Sequence, residues 1–394
     1  MSSRKGTAGK GHRRRPGAAA APQAGGRTST GAAGTPRAVK NDTGTRSRGE
    51  PARRAPRLRT SDPKRPGWRR VRRGRGFRYL DTGGVPLPAD DRERVRDLVI
   101  PPAWEDVWIC PWSNGHIQAV GTDRAGRRQY LYHARFRQQQ DAAKHEHVRD
   151  VARSLPRLRR AIARDLAGRG LGRERVLACA ARLLDLGFFR VGGERYARDN
   201  DSYGLTTLLR RHAACRRGEV CLSFPAKSGR RQTRSLVDDH ALSVVRALLR
   251  RRDAGPRLFA YREGGRWHEV HAEDLNTYLR ENSGEDISAK DFRTWHATVL
   301  AAVALAVSQN TSDGPRSARR GAVSRAVREV SGYLGNTPAV CRASYIDPVV
   351  IERYEDGVTI APDLEGLGEQ GTYGHPATQG AIERAVLHLL RRPA

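Results

Sequence analysis

Cysteine, lysine, aromatic and acidic residues are all scarce in this 394-residue sequence, and each scarcity excludes something. Five cysteines, an odd and scattered set, exclude a disulfide-stapled secreted scaffold and point to a reducing cytoplasm. The longest strongly apolar run, Val299 to Val307, falls far short of the roughly 20 residues that span a bilayer, so no membrane-spanning segment is expected. The N-terminus has charge but no apolar stretch behind it, so no secretory signal is expected. Acid is outnumbered, with 42 Asp+Glu against 73 Lys+Arg, and the net charge is +31. An excess of that size calls for a polyanionic partner, nucleic acid before an acidic membrane surface.

The charge is unevenly placed. Residues 1–75 carry +19 of it, and no aromatic residue precedes Trp68. Gly, Ala, Ser, Thr, Pro and Arg dominate this stretch and bury too little apolar surface to offset chain entropy, so residues 1–66 are expected to be disordered. They would serve as a basic arm on DNA or as a solubilising leader. The basic residues are themselves lopsided: seven are lysine and the other 66 arginine. Only Lys144, Lys227 and Lys290 lie beyond the basic stretch. Lysine differs from arginine in being able to give up a proton, so a lysine kept in an arginine-rich chain raises a chemical question.

The patterning gives an α+β chain. Residues 67–141 read as a small, mainly β domain. Asp81–Gly84 and Ser113–Gly115 are hairpin-type turns, and a short helix covers Asp90–Leu98. Strand-like runs cover Val107–Ile109, His116–Gly121 and Arg127–His133. Residues 142–356 read as a larger, mainly helical domain. Its first helix is expected to start at Ser154 with Pro156 in the first turn, followed by one over 172–186. Glu219–Phe224 and Ser235–Val237 form a hairpin with Lys227 at its tip. Helices are expected near 239–251, 272–281, 289–307 and 322–334, with a polar loop at 308–320. Thr337-Pro338 and Asp347-Pro348 start two more. Residues 357–394 are a C-terminal loop and a last helix.

Several motifs fail. Lys227-Ser228 lacks the upstream glycine of a phosphate-binding loop, so there is no case for ATP. Gly168, Gly170 and Gly172 follow a helix and are misplaced for a dinucleotide loop. His212, Cys215 and Cys221 lack the paired spacing of a zinc site.

One constellation holds. Phe189-Arg190-Val191-Gly192-Gly193, the Lys227 hairpin, Lys290-Asp291-Phe292-Arg293 and Leu334-Gly335-Asn336 through Tyr345 are polar where a packing helix would be apolar. They offer two arginines, lysines, an amide and a tyrosine. Two arginine forks can clamp a phosphodiester and stabilise charge in its transition state. A leaving oxygen must be protonated, which a desolvated lysine does well and arginine poorly. Tyr203, Tyr333 and Tyr354 are rivals to Tyr345 as nucleophile.

This set resembles the type IB DNA topoisomerases, in their small bacterial, poxvirus-like branch. The resemblance spans roughly 75–355 and includes Ile100-Pro101-Pro102-Ala103-Trp104 and Gly126-Arg127-Arg128-Gln129-Tyr130. It implies a catalytic domain of the tyrosine recombinase/topoisomerase IB type, closing with the β domain as a clamp on duplex DNA. It implies Tyr345 as nucleophile, Arg190 and Arg293 as the phosphate clamp and Lys227 as general acid. Asn336 falls on the position where some members carry histidine, and Lys290 matches the cation preceding the second arginine. The implied reaction is relaxation of supercoiled DNA through a 3′-phosphotyrosyl bond, without ATP and without an obligatory divalent metal. A monomer is expected, in the cytoplasm and on the nucleoid. Tyr196, near the cleavage site, and Tyr130, Tyr132, Arg128 and Arg135, on a basic-aromatic face, are the expected DNA contacts. The rivals are a tyrosine recombinase or integrase, whose usual His-x-x-Arg box is here Lys290-x-x-Arg293, and a non-enzymatic DNA-compacting protein.

Overall fold

The computed structural model describes residues 57–253, 255–308, 316–364 and 379–391. Most of the basic arm therefore lies outside the described residues.

The first part is a five-stranded antiparallel sheet in the order β2-β1-β3-β4-β5. Its strands are β1 (Trp68–Arg73), β2 (Gly76–Leu80), β3 (Glu105–Ile109), β4 (Ile117–Thr122) and β5 (Arg128–Tyr132). Helix α1 (Ala89–Asp97) joins them, and Trp68, Leu87, Val95, Ile100, Val107, Ile109 and Ala119 form the core. The Ile100–Trp104 segment is gathered by one side chain, since the Arg70 guanidinium donates to the carbonyls of Ile100, Pro101 and Trp104. Gly121 lies under Trp104, where a Cβ would come within 2.8 Å of the indole.

Two expectations change here. Asp81–Gly84 does turn, held by Asp81 Oδ1 accepting from Gly83 and Val85 N–H. It follows β2, however, and the β1–β2 hairpin reverses at Arg73–Gly76 with Gly74 at φ +55°. The expected disordered stretch also ends too late. Residues 57–66 are anchored on the sheet, with Ser61 buried and bonded to His116 and Ile117, and Arg59 N–H donating to Asn114. The polar composition hid this, because the anchoring uses backbone and hydroxyl hydrogen bonds rather than apolar burial.

The larger part begins one residue after β5. Helix α2 runs unbroken from Ala134 to Leu166, with His133 as its N-cap. The expected start at Ser154 is overturned, and α2 passes without interruption through 141/142, where the second domain was expected to begin. Ser154 is mid-helix and its hydroxyl donates back to the Val151 carbonyl. Pro156 is interior, and its missing N–H is tolerated because His145, Val148, Ala152, Leu155, Leu158 and Ile162 bury one continuous stripe.

From Val176 on, helix α3 (Arg173–Gly187) is almost wholly buried and forms part of the core. Then come α4 (Glu194–Asn200) and a three-stranded antiparallel sheet of β6 (Ala213–Arg216), β7 (Glu219–Pro225) and β8 (Arg231–Val237). Helix α5 (Asp239–Arg250) precedes a second hairpin, β9 (Ala260–Glu263) and β10 (Arg266–Glu269), that the sequence pattern did not reveal. Helices α6 (Ala272–Ser283), α7 (Ala289–Val307) and α8 (Arg316–Leu334) follow. Helix α8 starts earlier than expected and takes in part of the supposed polar loop, because Ala318, Arg319 and Arg320 are good helix formers. Thr337 and Asp347 cap α9 (Pro338–Ser344) and α10 (Pro348–Glu355) as the sequence suggested. Helices α11 (Ala361–Leu364) and α12 (Ala381–Leu389) end the described chain.

A buried ionic cluster fastens α12 to the centre. Arg159 of α2 pairs with Asp185 of α3 and Glu383 of α12, while the Trp295 indole N–H of α7 donates to Glu383 at 2.9 Å. Burial alone would raise the Asp185 carboxyl; Arg159 and His296 outweigh it and hold the group well below the usual carboxylate range. Replacing Arg159 with Met takes the shared cation away from two buried carboxylates. The variant should lose about 3–5 kcal/mol of stability in urea unfolding at neutral pH. A depressed folded-state carboxyl stabilises above its unfolded pKa and loses that contribution as pH falls, so the deficit should narrow under acid conditions.

Candidate active site

Helix α3 ends in a left-handed residue, Phe188 at φ 56°. That turn buries Phe189 and presents Arg190. The chain continues through Gly192, at φ +102°, against Gly204. Leu205 and Thr206 N–H donate to the carbonyls of Arg190 and Val191 at 2.8 and 2.7 Å. A Cβ on Gly204 would stand 2.4 Å from Gly192 N, so glycine is required for this approach. Arg190 is thus set on a rigid backbone pair.

Arg293 comes from the first turns of α7 and is buried. Its Nη1 donates to the Phe188 carbonyl and its Nη2 to the Leu334 carbonyl at 2.8 Å. Arg190 Nη2 donates to the Gly335 carbonyl at 3.2 Å and to Asn336 Oδ1. Gly335 takes φ +63° after α8, which turns both carbonyls and Asn336 toward the arginines. The Arg293 guanidinium carbon lies 5.5 Å from the centroid of the Tyr345 ring. Arg190, Arg293, Asn336 and Tyr345 therefore converge.

The electrostatics fit an anion site. Burial, then the neighbouring Arg190 charge, pushes Arg293 down to about 10, with the Tyr345 phenol pulling the other way. Burial lowers Arg190 as well. Among the described residues neither guanidinium has a carboxylate partner, and Arg293 Nε and Asn336 Nδ2 are buried without an acceptor. Unused donors beside two close cations are what a phosphate would complete.

Lys227 sits at the β7–β8 tip in a 3-10 turn, Lys227–Gly229, and is exposed. It lines one cleft with Arg190, Gly192, Tyr196 and Tyr203. It is a residue of the rim, not of the buried cluster. Lys290 is exposed on the first turn of α7. Tyr196 is exposed on α4 and lines a cleft with Arg127 of the β4–β5 turn. Arg128, Tyr130 and Tyr132 share the exposed face of β5, with the two rings stacked at 6.0 Å. Arg135 lies half-buried on the first turn of α2.

Among the described residues no rival tyrosine ring lies against the Arg293 guanidinium as Tyr345 does. Tyr354 is buried in the core, and Tyr203 donates to Asp201 at 2.7 Å, its pKa raised by burial and by that carboxylate. Tyr333 is exposed on α8, packed near Phe188. Among the described residues no group of three or more His, Cys, Asp or Glu is placed to hold a metal ion, His212, Cys215 and Cys221 included.

The structure adds Lys144, which sequence reasoning passed over. Its Nζ donates to the Ser344 carbonyl at 2.5 Å, next to Tyr345. The scarcity of lysine pointed to it as much as to Lys227.

A family model for the catalytic core of eukaryotic DNA topoisomerase I matches residues 133–361. One for the N-terminal domain of bacterial DNA topoisomerase IB matches 76–123. DNA topoisomerase 1B of Acanthamoeba polyphaga mimivirus is 33% identical over 287 residues, covering 71% of this chain and 84% of the viral protein. The chain belongs to the type IB DNA topoisomerase family. DNA topoisomerase I of monkeypox virus and DNA topoisomerase 1B of vaccinia virus (strain Copenhagen) are each 20% identical over 289 residues, covering 71% of this chain and 88% of theirs. The catalytic-core match of the type IB family contains Arg190, Lys227, Arg293, Asn336 and Tyr345, whereas Arg128, Tyr130 and Tyr132 fall between the two matched ranges.

Asn336→Asp keeps an acceptor for Arg190 but removes the free amide donor and adds like charge toward a phosphate. Single-turnover formation of the protein–DNA adduct should slow by at least about a hundredfold, the effect of losing one transition-state donor.

Proposed function

We propose that this chain relaxes supercoiled duplex DNA by cutting and resealing one strand through Tyr345. The observation that carries the reading is the convergence of Arg190, Arg293 and Asn336, with unused donors, beside one phenol. Arg190 and Arg293 hold the non-bridging oxygens of the scissile phosphate, and Asn336 Nδ2 donates to one of them. The Tyr345 oxygen attacks phosphorus as its proton leaves, and the bond to the 5′-oxygen breaks. Lys227, brought down from the hairpin tip, protonates that oxygen. The product is a 3′-phosphotyrosyl bond and a free 5′-hydroxyl. The reverse step reseals the strand, and because the phosphodiester energy is kept in the covalent link, ATP is not consumed. The arginines supply positive charge that a metal gives other nucleases, so relaxation proceeds without divalent metal.

The family match supports a catalytic domain of the tyrosine recombinase/topoisomerase IB type. The exposed Arg128–Tyr130–Tyr132 face of β5 and the cleft lined by Arg127, Tyr196 and Lys227 support a clamp of sheet and helical part around the duplex. We read the protein as a monomer working on chromosomal DNA in the cytoplasm. No described helix is long and apolar enough to cross a membrane. No observation favours a recombinase or a purely compacting protein.

The purified protein should relax plasmid in EDTA without ATP; failure to do so overturns the reading. A 5′-labelled suicide duplex should become protein-linked, Tyr345→Phe should abolish the adduct and Tyr333→Phe should leave it. Lys227→Ala should slow cleavage by about 10²–10⁴-fold, the range of general-acid catalysis. Replacing the bridging 5′-oxygen with sulfur, a leaving group that needs no proton, should restore most of that loss.

A further inference from the structure

We propose that Lys144 and Arg149 of α2 are positioning residues that bind the Tyr345 segment to the helix continuing from the DNA-facing strand, so that engagement of DNA by β5 sets the nucleophile in place. The inference rests on the reading of Tyr345 as the nucleophile.

The geometry is specific. Strand β5 ends at Tyr132 and α2 begins at Ala134, so a shift of the stacked Tyr130–Tyr132 face is carried into a single 33-residue rod. Lys144 lies about 15 Å along that rod at 1.5 Å per residue. Its ammonium donates to the Ser344 carbonyl, one of the orphan acceptors at the C-terminus of α9, where a cation is also favoured by the helix dipole. Arg149 donates through Nε and Nη2 to Asp347 Oδ2 at 3.0 and 2.8 Å. Asp347 is buried, and its Oδ1 caps Val349 at 3.0 Å. The residues before and after Tyr345-Ile346 are thus each held from α2. Between them the Thr298 hydroxyl of α7 accepts from Asp347 N–H at 3.1 Å and shares its one proton between the carbonyls of Thr294, at 3.0 Å, and Tyr345, at 3.3 Å. Tyr345 is suspended between the helix that carries Arg293 and the helix that carries the DNA face. No other described contact joins the sheet-bearing rod to the nucleophile so directly.

Lys144 also has a titration signature. Burial lowers its pKa; Asp141 on its own helix, Asp291 of α7 and Tyr345 oppose this, and Lys290 of α7 adds to it. The clasp is fully present while Lys144 is charged. It is lost as pH rises through a folded-state value below that of free lysine.

The test is single-turnover cleavage of a suicide duplex by the full chain, with DNA affinity and thermal stability measured in parallel. Lys144→Met should cleave about 10- to 100-fold more slowly, the scale of a misplaced reacting group. Its dissociation constant for DNA should be unchanged within about twofold, and its melting temperature close to wild type. Lys144→Arg, which keeps the donor, should recover the rate and move the alkaline fall in rate to higher pH. A 5′-bridging sulfur should not rescue Lys144→Met, since leaving-group protonation is not what it lost. Arg149→Met should show the same split between rate and affinity. Wild-type cleavage by Lys144→Met, rescue of it by sulfur, or a loss of DNA affinity that accounts for the whole effect would each overturn the inference while leaving Tyr345 as nucleophile. No adduct from the wild type would overturn both.

Discussion

Two positive charges are held side by side, one buried and one half-buried, with no carboxylate partner among the described residues. That constraint at Arg190 and Arg293 organises much of the surrounding backbone. Each guanidinium is held by acceptors that carry no full charge: the carbonyls of Phe188, Leu334 and Gly335, and Oδ1 of Asn336. A carboxylate in their place would have satisfied the arginines and closed the site to a phosphate. Carbonyl dipoles orient the pair and leave its charge available. Supplying them requires two helices to end in the same place with left-handed residues, Phe188 after α3 and Gly335 after α8.

Such a site needs a rigid support, and the support is ionic as well as apolar. Helix α7 presents Arg293 on one side, while Trp295 and His296, two and three residues further on, reach the Arg159–Asp185–Glu383 cluster. Helix α12 joins the cluster from beyond the matched catalytic-core range. Removing one partner of such a cluster is far more costly than never having built it. The C-terminal helix is therefore bound to the back of the helix that carries Arg293.

The arginines of this chain do two kinds of work. Half-buried Arg70 and buried Arg251 gather backbone carbonyls and hold loops together. Exposed ones, such as Arg128 beside Tyr130 and Tyr132, give the surface its charge. Net charge alone does not separate these roles, because a guanidinium with carbonyl partners keeps its formal charge.

Much was legible beforehand. Strands β3 to β5 follow from alternation, and α9 and α10 from Thr337-Pro338 and Asp347-Pro348, because these signals lie within a few residues of each other. The catalytic candidates Arg190, Lys227, Arg293, Asn336 and Tyr345 stood out as polar residues where packing called for apolar ones. Local chemistry gave no account of α2, where Pro156 reads as a helix start until distant core contacts outweigh it. It missed the β9–β10 hairpin and the anchoring of residues 57–66 for the same reason. Nor could it choose Tyr345 over Tyr333, Tyr354 and Tyr203 from the residues alone, or see Lys144 at the Ser344 carbonyl 200 positions away. The sequence by itself determined which chemical groups were present and the order in which they came. Only the tertiary structure decided which of them meet, because a pair far apart in the chain is joined by the packing of the helices that carry them.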